Sequence, residues 1–134
     1  MKEIWGVMIA GAVLGGSAMA ADVEAGRETY WRYCSSCHGA EAEGMGPMRP
    51  VLTIKPVDLT ALSKENGGVF PLERVIARID GRDPLVSHGS EMPVYGDFFL
   101  DGRSVTLEAE SGARIETSGA VADLVAYLRA IQAR

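Results

Sequence analysis

The sequence predicts a single, predominantly helical domain. Three observations carry that expectation. Apolar residues recur at intervals of three and four in several segments, as one face of a helix requires. Gly, Pro, Asn and Asp gather between those segments as breaks. One stretch alone, around residue 105, alternates with a period of two and reads as a small β-hairpin. With 134 residues, 47% of them apolar, the chain suits one domain with a modest core.

The first twenty residues stand apart. Lys2 precedes an apolar run from Ile4 to Leu14, and small residues follow, ending Ala18-Met19-Ala20. This is the layout of a secretory signal peptide, so residues 1–20 are expected to be removed and 21–134 to form the mature domain in a periplasm-like space. Glu3 weakens the basic flank, and an uncleaved anchor is the alternative, since the run to Ala21 approaches a membrane span in length. Its Gly and Ala content favours removal. The formal net charge of −5 is untouched by cleavage, because Lys2 and Glu3 cancel. Such a balance argues against nucleic acid and anionic lipid, and it suggests a locally basic protein partner.

Each element has its own local signal. A first helix is expected from Asp22, a good N-cap, through Cys34, with Gly26, Tyr30 and Cys34 on one face. Gly26 costs about 1 kcal/mol relative to alanine inside a helix, which is tolerable where another helix must come close. Gly39 to Pro50 is loop-like. Asp58 to Glu65 can form a short helix, with Asp58 as its candidate cap, that stops at Asn66-Gly67-Gly68. Pro71 opens a better-marked helix, with Leu72, Val75, Ile76 and Ile79 on one face and Gly81 as its stop. Val105, Leu107 and Ala109 then alternate with polar residues, Ser111-Gly112 offers a turn, and Arg114-Ile115-Glu116 returns. Ala120 to Ala130 closes the chain as a helix, striped by Leu124, Tyr127 and Leu128.

The chemistry is concentrated in Cys34-Ser35-Ser36-Cys37-His38. Residues three apart on a helix share a face, so two sulfurs can meet the two vinyl groups along one haem edge, and the adjacent imidazole can turn to the iron. The expected cofactor is one haem c, attached through Cys34 and Cys37 with His38 as an axial ligand. A disulfide between the two cysteines would only close a tight loop. A zinc site would want a fourth ligand, for which His88 is the remaining imidazole. A thioredoxin-like pair would want a βαβ context, which is not visible.

Gly26, Tyr30, Cys34, Cys37 and His38, with Met92-Pro93 and the run Asp123-Leu124-Val125-Ala126-Tyr127-Leu128, together resemble the class I cytochromes c. The resemblance implies an all-α fold, with first and last helices crossing near Gly26 and Tyr127 and haem held between His and Met. It also implies that a proline carbonyl accepts the second imidazole N–H of His38. Pro47 is the first match and Pro50 the second.

Met92 is the expected sixth ligand: a thioether favours reduced iron, and Pro93 restrains the backbone beside it. Met45 and Met48 lie close after His38, on the segment expected to line the proximal side. His88 would give a lower-potential pair. The functional expectation is a periplasmic one-electron carrier, not an enzyme, working with redox protein partners and no small-molecule substrate. The alternatives are a five-coordinate catalytic or gas-sensing haem, with His88 or Arg82 over a vacant site, and a tightly bound subunit of a dehydrogenase or oxidase. The stretch between Met92 and the last helix is longer than compact family members need, and it reads either as a docking element or as a neutral insertion.

Overall fold

The computed structural model describes residues 20–82 and 92–133. The expected leader cleavage segment up to Met19, and His88, lie outside the described residues. Helix α1 spans Val23–Tyr33 and begins as its cap predicts: the Asp22 carboxylate accepts from the backbone N–H groups of Glu24 and Ala25. It passes through Cys34, whose backbone stays near helical values, into the single turn α2, Ser35–His38. The motif therefore sits where one helix turns into the next.

Two further helices are built around breaks. Helix α3 is only Leu62–Glu65, shorter than the Asp58–Glu65 expected. The Asp58 carboxylate instead bonds the backbone N–H and the hydroxyl of Thr60, closing a local turn where a cap was predicted. Helix α4, Leu72–Asp80, follows Pro71 and buries Leu72, Val75, Ile76 and Ile79, the stripe that its spacing predicts.

Strands β1 (Ser104–Glu108) and β2 (Arg114–Ser118) pair antiparallel, with Val105 opposite Thr117 and Leu107 opposite Ile115. Those four face inward, and Leu107 and Ile115 pack on the core. The hairpin is held to the helices by Ser111, which donates to Glu73, and by Arg82, which donates to the Glu116 carbonyl. Helix α5, Gly119–Ala130, follows at once, capped by Ser118.

The fold class is thus a correction to the all-α expectation. Five helices and a two-stranded antiparallel sheet, about 44% helix and 10% strand among the described residues, make a mixed fold. The physical reason is that the stretch after Met92 pairs its own backbone as a ladder, and its apolar alternate residues then cover one side of the helical core.

The centre of that core is the crossing of α1 and α5. A methyl group on Gly26 would collide with the Asp123 carbonyl and lie 3.0 Å from the Leu124 nitrogen, so only glycine permits the approach. One turn on, the Tyr30 and Tyr127 rings meet at 5.3 Å between centroids. Asp123 is buried at the same crossing, and Arg103 and the Asp22 N–H both donate to it at 2.7 Å.

A candidate haem site

The loop after α2 folds back on the motif. Gly44 N–H bonds the His38 carbonyl at 2.8 Å, Gly46 N–H the Cys37 carbonyl at 3.1 Å, and Met48 N–H the Ser36 carbonyl at 3.0 Å. On the other side the buried Tyr30 hydroxyl donates to the Gly39 carbonyl, tying α1 to the residue that follows His38. The motif is therefore clamped from two directions.

Cys34 and Cys37 are both free thiols, Cys34 buried and Cys37 half-buried. Burial, with a smaller effect of Cys37 nearby, pushes the Cys34 thiol up to about 12. It stays protonated at neutral pH, which makes it a poor thioredoxin-type nucleophile. Among the described residues no group of three or more His, Cys, Asp or Glu is placed to hold a metal ion, so the zinc alternative has no ligand set there.

His38 is 8% exposed, and its Nδ1 lies 3.1 Å from the Val57 carbonyl oxygen. A carbonyl only accepts, so Nδ1 carries the proton and Nε2 is left with its lone pair. Burial lowers the imidazole pKa, and the Val57 bond opposes that in part. The ring is thus neutral at pH 7, the state a metal ligand needs. Here the Pro47 assignment is corrected. Pro47 is exposed, and the acceptor is Val57, because the returning loop brings residues 56–57, not 47, alongside the imidazole. Pro50 is exposed likewise.

Two adjoining cavities, of about 260 and 200 Å³, open beside the motif. Both are lined by Cys34, His38, Val57, Arg78, Met92 and Tyr95, and Cys37 lines the first. Met92 is half-buried there, on a segment anchored by the Tyr95 N–H to the Ile79 carbonyl at 2.8 Å and by the Tyr95 hydroxyl to the Tyr33 carbonyl at 3.1 Å. Met45 and Met48 are exposed and line neither cavity. Arg82 is held by Asp80 and the Glu116 carbonyl and also lines neither.

Sequence reading missed several walls of the site. Tyr33 and Tyr95 line the first cavity and are backed by Phe99, which lines neither, with Tyr95 and Phe99 stacked at 5.2 Å and Tyr33 edge-on to Phe99 at 5.3 Å. Arg74 and Arg78 lie one turn apart on α4 at the second cavity, and Lys55 lines the first. Their four-residue spacing was a visible signal; what they faced was not.

These residues fit a haem. Two free sulfurs three apart stand at the edge of an apolar slot, a neutral imidazole and a thioether line it together, and Lys55, Arg74 and Arg78 offer cations for the two carboxylates such a group carries. Among the described residues no helix is long and apolar enough to cross a membrane. Comparisons of the chain with protein-family models, with curated proteins and with solved structures returned no match.

Proposed function

We propose that this chain is an exported one-electron carrier, a c-type cytochrome of the class I kind with a hairpin added. One haem c would be attached through Cys34 and Cys37 and ligated by His38 and Met92. The observation that supports this most is that His38 and Met92 line the same pair of cavities, at whose edge both cysteines lie.

Bound there, a haem supplies a reversible one-electron couple and makes or breaks no substrate bond. The chain's own residues do the rest. Val57 fixes the tautomer and ring angle of His38, which keeps Nε2 directed and basic. Tyr33, Tyr95 and the apolar wall of α4 keep water from the slot, so little solvent has to reorganise when charge changes. Tyr95 anchors the segment that carries Met92, which keeps the thioether in place in both oxidation states.

The test is expression in a host competent for haem attachment and export, followed by a reduced pyridine haemochrome spectrum, a redox titration and exposure to carbon monoxide. A carrier shows one covalent haem, a far-red iron–sulfur band when oxidised and slow or no CO binding when reduced. A colourless protein with free thiols overturns the reading, and rapid CO binding replaces it with a five-coordinate haem.

A further inference from the structure

Between Met92 and the hairpin the chain turns a corner that puts large apolar side chains in water. Phe98 is 76% and Leu100 72% exposed, while Phe99 between them is buried. The backbone that presents them is pinned. Gly96 passes so close to α4 that a methyl group on it would strike the Asp80 carbonyl, and the 3₁₀ turn Asp97–Phe99 follows, with the Phe99 N–H bonded to the Tyr95 carbonyl at 3.1 Å. Both side chains are thus held outward on a preset turn, an arrangement that water disfavours and a covering surface relieves.

The same turn touches the site. Tyr95 lines both cavities, and its ring meets that of Phe98 edge-on at 6.5 Å between centroids. Two rings therefore reach from the slot to the surface.

The balance of charge around the patch is negative. Two grooves of about 370 and 340 Å³ flank it, Leu100 lining both and Phe98 the second. Their walls carry six carboxylates against three guanidiniums. Arg82 is held by Asp80, Arg103 bridges Asp101 and Asp123, and Arg32 stands one turn after Glu28 on α1. Asp97 and Glu116, both exposed, are left over in that balance.

We propose that Phe98 and Leu100, bordered by Asp97 and Glu116, form the docking face for a one-electron protein partner whose apolar contact is ringed by lysine or arginine. The inference rests on the carrier reading above and sets the exchange at the Tyr95 side of the cavities. One electron passes between the haem and the partner's centre across the Tyr95 and Phe98 rings, which stay neutral, and no bond forms or breaks. A second copy of this chain is the poorer occupant, because two such patches face to face would bring like charges together.

The experiment uses the mature holoprotein and, as probe, a blue-copper protein chosen for an apolar patch ringed by lysines, with stopped-flow rates at several salt concentrations. The wild-type rate should fall as salt rises. Asp97→Asn with Glu116→Gln should lower the low-salt rate constant roughly fivefold and flatten its salt dependence. Glu65→Gln with Glu110→Gln, the same change of charge at exposed positions that line neither groove, should cost no more than about twofold. Phe98→Ser with Leu100→Ser should lower the rate at every salt concentration. Equal losses from the two carboxylate pairs would reduce the effect to net charge and overturn the docking face, as would a rate indifferent to Phe98 and Leu100. So would a wild-type dimer in sedimentation that Phe98→Ser with Leu100→Ser dissolves, which assigns the patch to a second copy. Each protein's spectrum and midpoint potential are measured alongside: loss of the couple itself refutes the carrier reading, whereas an intact couple with indifferent rates refutes only the docking face.

Discussion

His38 Nδ1 and the Val57 carbonyl oxygen stand 3.1 Å apart, across nineteen residues of chain. That one bond sets the tautomer of the candidate ligand and ties its ring to the loop that closes the cavity. Gly44 is the hinge of the arrangement. Its φ is +77°, and a methyl group there would strike the Pro56 carbonyl and lie 3.2 Å from that of Val57.

Gly44→Ala should therefore weaken the His38–Val57 bond. The expected cost is about 1–3 kcal/mol from backbone strain and displacement of residues 56–57. Because the bond enriches the imidazole in electrons and so favours oxidised iron, the midpoint potential should rise. Urea denaturation and redox titration check both, and an unchanged potential would uncouple Val57 from the iron.

Met92→Ala should leave the haem attached but open the iron to imidazole or carbon monoxide, with loss of the far-red band. Met92→His should keep six ligands and lower the potential. A spectrum unchanged by Met92→Ala would show that another side chain closes the site.

The close approach of α1 and α5 makes Gly26→Ala costly although alanine is the better helix former. The Asp123 carbonyl blocks the added methyl group, so the helices must separate or shift, for a loss of about 1–3 kcal/mol. Denaturant midpoints with an unchanged visible spectrum would localise the effect to the crossing.

Tyr30→Phe removes the hydroxyl that donates to the Gly39 carbonyl in the fully buried core. The expected loss is about 1 kcal/mol with no cavity made. A near-zero change would mean that the Gly39 carbonyl is satisfied by its other donor, the Ala42 N–H at 3.2 Å.

Acid should act through His38. Burial lowers its pKa in the fold, so the unfolded chain takes up the proton first as pH falls. The contribution to stability is whole above the unfolded value, about 6.5, and is lost as pH drops through the folded one. Denaturant midpoints measured on the haem-free chain should fall as pH drops below about 6.5, and should do so equally in His88→Asn. If that variant abolishes the fall, the titrating group is His88.

Much of this was legible because it is local. The Asp22 cap, the stripe of α4 and the alternation of β1 are each decided within a few residues, by capping bonds or by which side chains share a face. Asp58 misled because a carboxylate that caps a helix can equally bond the residue two on, and Thr60 offers two donors. The hairpin, visible as alternation, carried more weight than the all-α class implied by resemblance.

By itself the sequence determined the cluster Cys34, Cys37 and His38, since three-residue and adjacent spacings are fixed by helical geometry wherever the helix lies. Only the tertiary structure decided that the Val57 carbonyl and not that of Pro47 accepts from the imidazole N–H, that Met92 shares the cavities with His38, and that Met45 and Met48 face water. The path of an irregular loop is set by where remote backbone allows it to pass, at Gly44 and against α2, and no periodicity along the chain records that.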